Sequence, residues 1–261
     1  MRSQTYSDYL AIDELLSLQR LKSEPTEHDE MLFIIIHQVY ELWFKQELHE
    51  IDYLGEQLAA GNKARALGVL NRILTILKTL VAQIDVLETM TPLEFLSFRD
   101  RLETASGFES FQFREFEFAL GIKNPAAIDR FAPGSTAAAN LQRRLDAPSI
   151  WQLFLRYLHA SGITMPASAL ERDPALPTAA DEAVQEQLIR IYREDTATMQ
   201  VCERLVDLDE GVQEWRYRHV QMVQRTIGTK CGTGGSEGAT YLQKTLFRPV
   251  FPDLWAIRAA F

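Results

Sequence analysis

The chain has 261 residues, of which 46% are hydrophobic and 24% charged, a balance typical of a globular protein with a substantial buried core. Its formal net charge of −9 disfavours nonspecific binding to nucleic acid or to an anionic membrane surface. The two cysteines allow no disulfide framework beyond a single bridge, and the most apolar run, 31–36, is too short to span a bilayer. We therefore expect a cytoplasmic protein that binds neither membrane nor nucleic acid.

Helical periodicity dominates the chain. Apolar residues three and four positions apart predict long helices over 27–58, over 62–89 and, with a break near Gly211, over 181–225. The first half of the 27–58 helix is apolar on nearly all sides, which predicts that it is buried. No alternating pattern is long enough to indicate a sheet.

Shorter helices fill the region between these long ones. Thr91, Pro92 and Glu94 form a capping signal, with a hydroxyl at the cap, proline at the first position and a carboxylate three residues on. Helices are predicted over 92–102, 109–120, 136–145 and 150–158, and a proline-rich connecting loop over 161–177. The sequence thus predicts an all-α fold, a single-domain helical bundle over 1–261.

A glycine-rich segment interrupts this regularity. Residues 228–238 contain five glycines, which rules out a stable helix there. The segment lacks the order of a phosphate-binding loop. Its composition favours close approach of the backbone to a ligand, and a plain surface loop is the alternative.

Two histidines lie on apolar helices. His37 ends an apolar run that begins at Phe33, and His219 follows Trp215 by one helical turn. The absence of an HExxH pair disfavours a zinc hydrolase. One histidine on each of two apolar helices suits a heme pocket, and core histidines with hydrogen-bond partners are the alternative.

Arg99 is a candidate for binding an anionic group. It follows Phe95 by one turn on a mostly apolar helix, where a guanidinium can bind a carboxylate through two parallel hydrogen bonds. The alternative is an ion pair with Asp100 or another acid. The aromatic-rich stretch 106–114 opens with Ser106 and Gly107, so a turn is expected to lead into a helix there.

Several of these segments, in this order and at this spacing, resemble the tryptophan 2,3-dioxygenase family. The matching segments are His-Asp-Glu-Met-Leu-Phe-Ile-Ile-Ile-His-Gln at 28–38, Glu-Leu-Trp at 41–43, Leu-Glu-Thr-Met-Thr-Pro at 87–92, Phe-Arg at 98–99, Ser-Gly-Phe at 106–108, Trp-Arg-Tyr-Arg-His at 215–219 and Gly-Thr-Gly-Gly-Ser at 232–236. They run from near the N-terminus almost to the C-terminus.

The resemblance implies a b-type heme and O2 as co-substrate. His219 matches the axial ligand of the heme iron, and Ser106 and Gly107 match a turn at the heme edge. Some bacterial members carry a tryptophan near this ligand where Ile84 stands here, which leaves the partner of His219 open.

The resemblance also implies a tryptophan-binding set. His37 matches the catalytic histidine beside the indole nitrogen, and Phe33 matches an aromatic residue of the indole pocket. Arg99 matches the residue that binds the substrate carboxylate, and Thr233 matches one that contacts both the ammonium and the carboxylate. Phe95 stands where some members have tyrosine.

The family is homotetrameric, and its N-terminal segment completes the pocket of a neighbouring subunit. Tyr6, Tyr9 and Leu10, within 1–20, match that segment. The implied reaction is oxidative cleavage of the indole C2–C3 bond of L-tryptophan to N-formyl-L-kynurenine, the first step of the kynurenine pathway. The alternatives are a related heme monooxygenase acting on a tryptophan derivative and a non-catalytic heme-binding protein.

Overall fold

The computed structural model describes residues 3–230, 232 and 242–261, and all regular structure within these residues is helical. The all-α prediction is therefore confirmed. The helices used below are α1 (Tyr6–Leu10), α2 (Ile12–Leu16), α3 (His28–Ala59), α4 (Lys63–Leu87), α5 (Pro92–Arg99), α6 (Phe111–Leu120), α7 (Thr136–Asp146), α8 (Ile150–Ala160), α9 (Ala167–Leu170), α10 (Glu182–Glu194) and α11 (Thr196–Ile227). Short 3-10 helices cover Asp100–Leu102, Gly107–Glu109, Pro125–Arg130 and Ile257–Ala260, and a short C-terminal helix covers Pro252–Ala256.

Helices α3 and α4 form an antiparallel pair. The hydroxyl of Tyr40 donates to the carbonyl of Leu80 at 2.8 Å, and Arg72 pairs with Glu50 at 3.1 Å. The residue numbers of the partners on α4 therefore decrease as those on α3 increase, so the two helices run in opposite directions. By length and composition alone α4 could cross a bilayer, but half of its most apolar stretch is buried against the rest of the protein, as in a core helix.

Helix α11 lies alongside α4 and runs in the same direction. Lys63 donates to the hydroxyl of Thr198 at 2.7 Å near the start of both helices, and Arg218 pairs with Asp85 at 2.5 Å near the end of α4. The three long helices α3, α4 and α11 form the centre of the core, and α6 and α8 pack against α3.

The predicted break near Gly211 is wrong. Helix α11 continues through Gly211, where a Cβ atom would lie 2.6 Å from the Cδ2 atom of Leu77 on α4. Glycine therefore allows the two helices to approach closely. The helical region is interrupted instead at Asp195. Its carboxylate accepts a hydrogen bond from the N–H of Thr198 and caps α11.

The capping signal before α5 is confirmed. Thr91 accepts a hydrogen bond from the N–H of Glu94, whose carboxylate accepts one from the N–H of Thr91. The same reciprocal arrangement joins Ser106 and Glu109 and starts the turn that leads into α6. The predicted loop over 161–177 is interrupted by the short helix α9.

A buried carboxylate anchors the C-terminal segment to α11. Asp209 is fully buried, and its Oδ2 atom accepts hydrogen bonds from the backbone N–H groups of Val250 and Phe251 and from the indole N–H of Trp255, at 2.7–2.9 Å. These hydrogen bonds hold the C-terminal segment, which follows the glycine-rich residues, against α11, which precedes them.

Candidate functional site

A cavity of about 290 Å³, called the central cavity below, opens between α3, α5, α11 and the turn at 106–108. Most of its wall is apolar, with phenylalanine, leucine, methionine and valine side chains from several elements. It brings together seven of the residues singled out from the sequence: Phe33, His37, Phe95, Arg99, Ser106, Gly107 and His219.

The α3 wall of the central cavity presents His37. Its Nδ1–H donates to the carbonyl of Phe33 at 2.7 Å, and the two rings lie 4.1 Å apart. Because Nδ1 carries the proton, Nε2 carries a lone pair and can accept a hydrogen bond. Burial lowers the pKa of His37 below its usual 6.5, so the ring is neutral at pH 7.

The α11 wall presents His219, one turn after Trp215. Burial lowers the pKa of His219 to about 4, with smaller electrostatic contributions from His37 and Arg114. A neutral imidazole is the form that ligates iron. Two neutral histidines on different long helices therefore line one apolar cavity.

The α5 wall combines aromatic rings with a cation. Phe95 and Phe98 are buried, and the Phe33 ring lies 5.8 Å from the first and 5.5 Å from the second. One turn after Phe95, the helix ends at Arg99, which also lines the cavity. The arrangement places a guanidinium beside aromatic rings, a combination that suits an amino acid with a flat apolar side chain.

A network of charged side chains also lines the cavity, and the sequence did not predict it. Glu117 lies between Arg114 and Arg216, with N–O distances of 2.5 and 2.9 Å, and all three residues line the cavity. Two guanidinium groups share one carboxylate, which leaves a net positive charge for an anionic ligand group. The partners are up to 99 positions apart, so no local pattern reveals them.

The predicted site residues of the N-terminal segment do not line the central cavity of this single chain. Tyr6, Tyr9 and Leu10 lie on α1, where 77%, 74% and 42% of their surfaces are exposed. Thr233 lies outside the described residues, although Gly232 lines the cavity.

Comparison with known proteins agrees with this geometry. A sequence model described as tryptophan 2,3-dioxygenase matches residues 1–184 and 176–261. The chain belongs to the tryptophan 2,3-dioxygenase family. It is 57% identical over 255 residues to the tryptophan 2,3-dioxygenase of Herpetosiphon aurantiacus, with 98% of this chain and 97% of that protein covered.

The similarity extends to more distant members of the tryptophan 2,3-dioxygenase family. Identity is 55% over 260 residues with the protein of that name from Anaeromyxobacter sp. strain K, and 46% over 261 residues with the one from Nocardioides sp.. Each alignment covers 98% of this chain and 96% or 94% of the relative. The resemblance inferred from the motifs is confirmed.

The central cavity fits the heme that the family uses. A heme b group needs an imidazole ligand, apolar walls around a flat macrocycle and cations near its two carboxylates. The described residues offer neutral His219, the apolar wall and the net positive charge around Arg114. No cluster of three or more His, Cys, Asp or Glu side chains that could hold a metal ion is found in the described part of the chain.

Proposed function

We propose that this chain cleaves the indole C2–C3 bond of L-tryptophan with O2 on a bound heme b and releases N-formyl-L-kynurenine, the first step of tryptophan degradation by the kynurenine pathway. The observation that carries the proposal is the placement of neutral His37 and His219 on separate walls of one apolar cavity that Arg99 also lines. The relatives that bear this activity in their names match nearly the whole chain.

His219 is the residue that would bind the heme iron. Its neutral ring faces the central cavity, and its helix is tied to α4 over most of its length. Ser106 and Gly107 lie at the proposed heme edge, and Arg114 supplies positive charge for a heme carboxylate. The bound heme supplies the iron at which O2 is activated.

His37 is the proposed partner of the indole nitrogen. Its Nδ1–H is fixed on the carbonyl of Phe33, so the lone pair on Nε2 is left to accept the indole N–H. The same bond fixes the ring orientation, because rotation would break it. His37 therefore holds the substrate ring in one orientation.

Arg99 and the aromatic wall complete the proposed substrate site. The guanidinium of Arg99 binds the substrate carboxylate, while Phe33 and Phe95 enclose the indole. Thr233 is proposed to contact the ammonium and carboxylate from the glycine-rich segment. The residues together restrict the orientation of the amino acid, and such restriction accelerates a reaction mainly through proximity.

The remaining proposals concern assembly. We propose a cytoplasmic homotetramer in which residues 1–261 form one heme-binding domain and the 1–20 segment contributes to a neighbouring subunit's site. The exposed aromatic rings of Tyr6 and Tyr9 support this, because two large apolar side chains on one short helix are left largely uncovered by their own chain.

A pair of matched substitutions tests the site. We expect His219→Ala to lose the visible absorbance of bound heme and to regain it when imidazole is added. We expect His37→Ala to keep bound heme but lose most tryptophan turnover. A His219→Ala protein with normal heme content would refute the ligand assignment.

A further inference from the structure

The two cavity histidines are held in place by different interactions. The Nδ1–H of His37 donates to the carbonyl of Phe33 four residues earlier. Among the described residues, no group forms a hydrogen bond with the ring of His219, and Ile84, which also lines the cavity, has no polar atom in its side chain. A histidine that ligates a metal ordinarily has its second nitrogen oriented by an acceptor. A different contact among the described residues can set the plane of the His219 ring.

That contact is an aromatic stack on the same helix. The rings of Trp215 and His219 are nearly parallel, at an angle of 4°, and their centroids lie 5.1 Å apart. The two residues are four positions apart, so they lie on one face of α11. A parallel, offset arrangement is one of the two geometries that aromatic pairs prefer.

Trp215 is itself held by neighbouring helices. Its ring lies 4.8 Å from the ring of Phe113 on α6 and 6.3 Å from that of Phe44 on α3, the latter edge-on. Phe44 in turn stacks on Tyr40, whose hydroxyl is bonded to the backbone of α4. Contacts from two other helices thus prevent the indole from rotating with the imidazole.

We propose that Trp215 is a positioning residue that sets the orientation of the His219 imidazole by stacking. The inference rests on the proposed role of His219 as heme ligand. The orientation is a property of the protein before heme binds.

Three variants separate positioning from packing. Trp215→Leu removes the stacked ring, and Trp215→Phe keeps an aromatic ring on the same face. Tyr217→Leu removes an aromatic ring from the same helix, two positions away, where the side chain is half exposed. All three are compared with the unchanged protein, both heme-free and heme-loaded.

The first readout is the ring proton of His219 in the NMR spectrum of the heme-free protein. We expect the indole ring current to shift this resonance in the unchanged protein, the shift to disappear in Trp215→Leu, and part of it to remain in Trp215→Phe. The second readout is heme release to an excess of a heme-binding acceptor protein. Loss of a group that orients a metal ligand ordinarily weakens binding about 10–100-fold, so Trp215→Leu should release heme faster by a comparable factor.

The outcomes are distinguishable. Faster heme release and a lost ring-current shift in Trp215→Leu, with Tyr217→Leu unchanged in both, support the proposal. An unchanged resonance, or a lost shift with unchanged heme release, overturns it and leaves Trp215 a packing residue. A His219→Ala protein that still binds heme refutes the ligand assignment itself, while the ring-current comparison remains a separate test of the stack.

Discussion

Replacing Glu47 with methionine should stabilise the protein and flatten the dependence of its stability on pH. Glu47 lies fully buried in the middle of α3, and neither of its carboxylate oxygens has a hydrogen-bond partner among the described residues. Burial, together with the carboxylate of Glu50, raises the pKa of Glu47 to about 9. Methionine has a similar length and no charge to bury.

The magnitude follows from proton linkage. The pKa of a glutamate in the unfolded chain is near 4.5, so the folded protein holds the Glu47 proton more tightly. The resulting contribution to stability is fully present below pH 4.5 and is lost as the pH rises towards 9. Each pH unit in this window costs about 1.4 kcal/mol, which amounts to roughly 4 kcal/mol between pH 5 and pH 8.

Urea unfolding at several pH values measures this effect. We expect the free energy of unfolding of Glu47→Met to exceed that of the unchanged protein at pH 8 and to approach it near pH 5. Glu56→Met, at an exposed position on the same helix, serves as the control and should leave the pH dependence unchanged. Parallel pH curves for the unchanged protein and Glu47→Met would refute the reasoning, because Glu47 would then be solvated or paired.

Four further predictions concern the site and its support. Because burial lowers the pKa of His37 below 6.5, kcat/KM should not fall until the pH drops below that value, and a midpoint above 6.5 would contradict the assignment. Arg99→Ala should lose about 2–5 kcal/mol of transition-state binding for tryptophan but keep its heme, whereas equal turnover of tryptamine and tryptophan by the unchanged protein would exclude a carboxylate contact. Asp209→Ala leaves two buried backbone donors and the part-buried indole N–H of Trp255 without an acceptor, and it should lower the free energy of unfolding by at least about 2–3 kcal/mol; an unchanged urea midpoint would show that the C-terminal segment is held otherwise. Deleting residues 1–10 should raise KM for tryptophan while heme content stays normal, and unchanged kinetics, or a monomer by light scattering of the full chain, would rule out a shared site.

The positions of the long helices could be predicted because their signals are local. Apolar spacing predicts a helix over 27–58, and α3 covers His28–Ala59. The start of α5 follows from Thr91 and Glu94, whose mutual hydrogen bonds need only four consecutive residues. A wrong prediction arose where the deciding contact is distant. Gly211 resembles a helix break in sequence, but it provides space for Leu77 on another helix.

In the candidate site, too, local features could be predicted from the sequence and contacts between distant segments could not. Phe33 and His37 are one turn apart on an apolar helix, so their common face can be read from the sequence. The sharing of Glu117 by Arg114 and Arg216, and the support of Trp215 by Phe113, depend on helices that meet only in the folded chain. The family resemblance supplied the roles that spacing alone left open, including the choice of His219 as the iron ligand.

The most direct test of the proposed function is the fate of labelled O2. The purified, heme-loaded and reduced protein is mixed with L-tryptophan and 18O2, and the product is identified by mass spectrometry. The proposed function predicts N-formyl-L-kynurenine that carries both atoms of one labelled O2 molecule. A product with a single added oxygen atom would indicate a monooxygenase, and unchanged tryptophan in the presence of fully loaded heme would show that the chain binds heme without cleaving the indole ring.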